Sequence, residues 1–117
     1  AKTGLFPIMH VLAVRETLLA AHPWLASSLF VAFKQAKDMA VRDLEEIGAL
    51  MATLPWLPSE VAETRALMGD DYWPYGIEKN RKPLEAALRY SFGQGLSARK
   101  LTIEEAFVPD LDWAVRV

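Results

Sequence analysis

No cysteine occurs among the 117 residues. Disulfides, thiolate zinc sites, iron–sulfur clusters and cysteine nucleophiles are excluded together. Only two histidines are present, His10 and His22, so a nucleophilic triad is hard to assemble. The phosphate-binding glycine loops, the zinc motif H-E-x-x-H and the nucleophile elbow G-x-S-x-G are all missing. An excess of one charge is lacking too. The 13 basic residues face 15 acidic ones, a net charge of −2. No basic field exists to hold nucleic acid or an anionic membrane. The longest stretch without a charged side chain runs from Thr17 to Phe33 and includes His22, Pro23, Ser27 and Ser28. It falls short of the ~20 residues a spanning helix needs. The start, Ala1-Lys2-Thr3-Gly4, carries neither an initiator Met nor an apolar signal region. The expectation is a soluble chain derived from a longer one, cytoplasmic, or periplasmic if a leader precedes it.

What is present is ordinary globular material. Apolar residues make up 52% and charged residues 24%, which argues against disorder. The length allows one domain with one modest core.

The reading along the chain is mainly α, with one or two β-strands. Pro7 pushes Phe6 out of the helical region. Residues 8–15 (IMHVLAVR) are short, partly β-branched and almost continuously apolar, as in a strand covered on both faces. A single helical turn over Glu16–Ala21 closes before His22-Pro23. A long amphipathic helix is expected over about 24–54. Leu25, Leu29, Phe33, Ala36, Ala40, Leu44, Ile47, Met51 and Leu54 form its stripe, Gly48 weakens its end, and Pro55 stops it. A second helix spans about 60–68, capped by Ser59 and ended by Gly69. The loop DDYWPYG follows. The next helix covers about 80–94, or starts near Ile77 and kinks at Pro83. Thr102 and Glu105 have capping-box spacing ahead of a short helix over 103–107. A lone apolar strand leaves its backbone groups unpaired. Its partners would come from a missing N-terminal part or from a second copy of the chain.

Few residues have the chemistry for a site. His10 is the one ionisable side chain in the apolar strand; it is a candidate proton donor or anion contact, or else a structural histidine. His22 reads as a cap or surface residue. Asp70 and Asp71 are adjacent, and neighbouring side chains diverge, so helix termination suits them better than metal binding. Tyr72, Trp73 and Tyr75 form an aromatic patch, either a satellite core or a wall for an aromatic ligand. Lys79, Arg81 and Lys82 read as a solvated basic cluster. No cofactor is evident.

Three segments, TGLFPIMH (3–10), GDDYWPYG (69–76) with Asn80-Arg81-Lys82, and QGLSARK (94–100), occur in order, with His22-Pro23-Trp24 between the first two. Together they resemble the C-terminal part of the 4,5-dihydroxyphthalate decarboxylase family. The resemblance covers essentially the whole chain and implies a single fragment, 1–117, of a larger two-lobe α/β protein. That fold is similar to type 2 periplasmic solute-binding proteins. The implied reaction is non-oxidative decarboxylation of an aromatic dicarboxylate, here giving protocatechuate. His10 is then the candidate general acid or carboxylate contact, with Trp73 and Tyr75 as weaker substrate contacts. The implied partners are a small aromatic dicarboxylate or other small anion and the missing N-terminal lobe. An unpaired strand edge adds the expectation of a dimer. The alternatives are a solute-binding module on the same fold and a helical dimerisation domain. Taken alone, the chain is expected to be inactive.

Overall fold

A computed structural model describes residues 3–46, 48 and 51–108 of the chain. It is mainly helical, and no strand is present among the described residues. The elements are α1 (Glu16–Ala21), α2 (Leu25–Glu45), α3 (Leu57–Met68), α4 (Ile77–Gly93) and α5 (Ile103–Ala106). The described residues fall into two compact units. One comprises the residues up to Ser28 and those from Tyr75 onward; the other is Leu29–Pro74.

In the first unit, α4 packs against α5. Leu84 and Ala86 of α4 and Ile103 of α5 are buried and form its core. The capping box at 102–105 forms. The Thr102 hydroxyl accepts from the Glu105 N–H at 3.3 Å, and the Glu105 carboxylate accepts from the Thr102 N–H at 2.9 Å. The chain leaves α4 through a tight turn in which the Gln94 and Leu96 amides donate to Tyr90 and Ser91, each at 2.9 Å. Of the two starts considered for α4, the earlier one is found, and Pro83 lies inside the helix. Asn80 secures that start by donating its side-chain amide to the Gly76 carbonyl at 2.9 Å.

The strand expected over 8–15 does not form. This segment precedes α1 without strand pairing. The physical reason is simple: a strand needs a neighbour for its N–H and C=O groups, and the described residues supply none.

The second unit holds most of α2 and all of α3. The helix expected over 24–54 is shorter at its C-terminal end. It stops at Glu45, and Gly48 lies beyond it, its N–H captured by the Glu46 carboxylate at 2.9 Å. Residues 47, 49 and 50 lie outside the described residues, and 51–54 are not helical. No residue of α2 is buried, so its apolar stripe stays at least partly uncovered. Helix α3 starts earlier than expected, at Leu57, because Pro58 is already set for a first helical turn and Ser59 is not needed as the cap. It ends where the sequence indicates. Gly69 sits at φ 90°, a region side chains avoid, and its N–H closes on the Arg65 carbonyl at 2.8 Å. Leu57 is the unit's buried anchor. No helix among the described residues is long and apolar enough to cross a membrane.

Candidate functional site

His10 lies in the non-helical stretch between Pro7 and Arg15 and is exposed. Among the described residues nothing hydrogen-bonds or ion-pairs with its ring. His10 is therefore open to a ligand or to covering polypeptide. His22 takes the end-of-helix role expected of it. It closes α1 with its N–H on the Leu18 carbonyl at 2.9 Å, and Trp24 meets its ring edge-on at 6.0 Å.

The first segment, 3–10, is tied to α4. The Lys82 ammonium donates to the Thr3 carbonyl at 2.7 Å, and the Leu5 N–H turns back onto the Thr3 hydroxyl at 3.2 Å. Gly4 between them adopts φ 61°. Two of the motif segments noted in the sequence thus meet in one unit, through Lys82 and the residues leading to His10.

The third segment, 94–100, is anchored in the same unit. Arg99 pairs with Glu105 at 2.7 Å. Arg81 bridges Glu78 at 2.7 Å and Glu104 at 3.3 Å, which links α4 to α5 through charge as well as packing. Arg81 holds the Glu78 carboxyl below its ordinary range. Glu104 is lowered first by a backbone hydrogen bond and then by Arg81; Glu105 is lowered first by the Thr102 N–H and then by Arg99. The basic cluster read as solvated is therefore engaged at Arg81 and Lys82. The Glu78–Arg81 spacing of three residues was a usable signal for the first pair. Nothing in the sequence pointed to the second.

The aromatic loop begins in the second unit. Lys37 of α2 reaches Asp71 at 3.0 Å and Asp38 at 3.4 Å, while Lys34 takes Asp38 at 2.7 Å. The Lys37 side chain is only 12% exposed. Burial pushes its ammonium toward the neutral form, but Asp71 and Asp38 outweigh that and raise its pKa. Lys37 reads from the sequence as a solvent-facing residue off the helix stripe; it is instead the pin of this loop. The Tyr72 hydroxyl is buried without a hydrogen-bond partner among the described residues. Trp73 is exposed, and Tyr75 is half-buried in the first unit, together with His10. Asp70 and Asp71 do not converge on a third carboxylate or histidine. Among the described residues no three such groups are arranged to hold a metal ion.

A shallow, open hollow lies over α1 and the residues leading to it, lined by Ala13, Val14, Arg15, Thr17, Leu18 and Ala21. It is neither enclosed nor lined by His10.

No protein-family model matches the chain. A curated protein does. The chain is 41% identical over 105 residues to a 4,5-dihydroxyphthalate decarboxylase of Comamonas testosteroni. The match takes in 90% of this chain and 32% of that protein, so the chain spans about a third of the length of the relative it matches. Over nine-tenths of its own length, the chain resembles 4,5-dihydroxyphthalate decarboxylase.

Proposed function

We propose that the chain is the C-terminal third of a decarboxylase that removes one carboxylate from an aromatic dicarboxylate of the 4,5-dihydroxyphthalate type. The observation that carries this reading is the 41% identity sustained over 90% of the chain. The finer fold belongs to the same proposal: a two-lobe α/β protein similar to type 2 periplasmic solute-binding proteins. Trp56, Leu67 and Leu96 each keep 76–77% of their surface open, apolar area that a longer polypeptide would cover. The setting is cytoplasmic, or periplasmic if a leader precedes the longer protein.

The chemistry needs two things. The carbon–carbon bond breaks so that its electron pair stays on the ring carbon while the carboxylate leaves as CO₂. A proton must then reach that carbon, which yields protocatechuate from 4,5-dihydroxyphthalate. His10 is the proton donor or a carboxylate contact in this proposal, because its ring is exposed and unengaged. Trp73 and Tyr75 are assigned as weaker contacts to the aromatic ring.

The test is a chimera in which this chain replaces the matched third of the Comamonas testosteroni relative. CO₂ and protocatechuate release from 4,5-dihydroxyphthalate is followed, with His10→Ala alongside. Turnover that falls at least ~100-fold in the variant supports both the reaction and the role of His10. Tight binding without turnover moves the protein to the solute-binding reading.

A further inference from the structure

We propose that Lys82 is the ammonium that holds the carboxylate an aromatic dicarboxylate keeps when its other carboxylate is lost. This deepens the decarboxylase reading and rests on it for the class of ligand.

Three observations carry it. First, the ammonium is held in place by an uncharged group. Lys82 lies in the second turn of α4, and its Nζ donates to the Thr3 carbonyl at 2.7 Å. That bond uses one of its three N–H donors. Second, its charge is uncompensated. Helix spacing offers Glu78 and Glu85 as partners, yet among the described residues no carboxylate pairs with Lys82. Two other bases of the motif segments are paired by contrast: Arg81 takes Glu78 and Glu104, and Arg99 takes Glu105. Arg15 and Lys100 also lack a carboxylate, but no hydrogen bond fixes their side chains among the described residues. Third, the side of the ammonium toward Gly4 carries no side chain. A Cβ there would lie 3.6 Å from Nζ, in contact with it. Glycine, at φ 61°, leaves that approach to a ligand oxygen. Lys82, Gly4 and the exposed His10 belong to one unit.

An ammonium that is fixed and lacks a counter-charge is suited to a carboxylate. The N–H···O bond to a charged oxygen is stronger than one to a neutral oxygen, and the side chain is already ordered before the ligand arrives. Which carboxylate it holds follows from the reaction. A cation on the leaving carboxylate would stabilise charge that bond breaking moves to the ring, and so would favour the ground state. A cation on the retained carboxylate meets the same charge before and during bond breaking. Its contribution is uniform binding, which appears in KM and not in kcat.

Titration of the 117-residue chain with phthalate, followed by nuclear magnetic resonance at constant ionic strength, tests this. The amides of Leu5 and Lys82 and the Lys82 ε-methylene should shift along one saturating curve. Dimethyl phthalate has the ring without the charges and should leave them unmoved. Lys82→Met should weaken phthalate binding at least ~10-fold, and Lys82→Arg should keep it within ~3-fold. Rescue by arginine separates a charge contact from packing. The proposal is overturned by the lack of a saturable shift, by equal shifts with dimethyl phthalate, or by equal binding in Lys82→Met. In the chimera, Lys82→Met should raise KM at least ~10-fold and change kcat less than ~3-fold; the reverse split overturns the proposal too. Turnover is read separately. Saturable binding through Lys82 without CO₂ release rejects the enzyme reading and leaves the contact standing. Turnover with a KM indifferent to Lys82→Met leaves the enzyme reading and rejects the contact.

Discussion

The Lys82 ammonium donates a 2.7 Å hydrogen bond to the backbone carbonyl of Thr3, 79 residues away in sequence. The bond joins the stretch that leads to His10 with the first half of α4. Gly4 beside it sits at φ 61°, and the position a Cβ would take lies 3.6 Å from the Lys82 nitrogen, an ordinary van der Waals distance. The demand for glycine there is thus conformational and not a matter of space.

Lys82→Ala should release the residues around Thr3 without unfolding α4. The bond is exposed, and its contribution should be no more than about 1 kcal/mol. Faster hydrogen exchange at Leu5 and faster proteolysis before Ile8, at nearly unchanged melting temperature, are the expected outcome. Gly4→Ala adds backbone strain of about 1 kcal/mol and should loosen the same stretch. Unaltered exchange in both variants would show that the latch does nothing.

Asp71→Ala should cost more than Lys37→Met. The first takes a partner from the ammonium of a side chain only 12% exposed, a penalty of about 1–3 kcal/mol; the second removes the charge and keeps an apolar stem. Urea midpoints at neutral pH, with unchanged slope, are the check. Because Asp71 and Asp38 raise the Lys37 pKa, the contribution of this cluster is fully present at neutral pH. The part carried by Lys37 should be lost as pH rises above the ordinary lysine range, and the part carried by Asp38, whose carboxyl Lys34 and then Lys37 hold below its ordinary value, as pH falls below the ordinary carboxylate range.

Acid should weaken the first unit through α4 and α5. Glu78, Glu104 and Glu105 are all held below their ordinary values by Arg81, Arg99 and backbone N–H groups. A carboxyl with a lowered folded-state pKa stabilises above its unfolded value, and that contribution disappears as pH falls through the folded one. The urea midpoint should therefore drop from about pH 4.5 downward. Since these pairs are exposed, high salt should flatten the drop. A midpoint independent of pH in that window would show the pairs to be energetically idle.

Pro83→Ala should stabilise the protein. Pro83 sits beyond the first turn of α4 and donates no backbone N–H toward residue 79. Restoring that rung in the helix interior is worth up to about 3 kcal/mol, reduced by about 1 kcal/mol for the added freedom of the unfolded chain. A melting temperature that rises in Pro83→Ala is expected. A fall would show that the proline ring is needed for packing, since Pro83 is half-buried.

Local rules read well where the physics is local. The Thr102–Glu105 capping box, the Gly69 stop, the single turn at 16–21 and the presence of each long helix follow from neighbours a few residues apart. The end of α2 was not legible. The apolar stripe continues past Glu45 in sequence, while the helix stops there. In the site, the resemblance was visible in three short segments and is matched by the 41% identity. The pinning roles of Lys37 and Lys82 were not. A lysine's partner 34 or 79 residues away leaves no mark in spacing.

By itself, then, the sequence determined the helical character, the Thr102–Glu105 capping box, the Gly69 stop and the resemblance to the decarboxylase. Each depends on propensity, periodicity or identity along one chain. Only the tertiary structure decided that residues 8–15 form no strand ladder, that Leu84, Ala86 and Ile103 make the core of the first unit, and that lysines hold the motif segments in place. A ladder bond, a buried side chain or an ion pair between distant residues exists only once a second piece of chain has arrived beside the first.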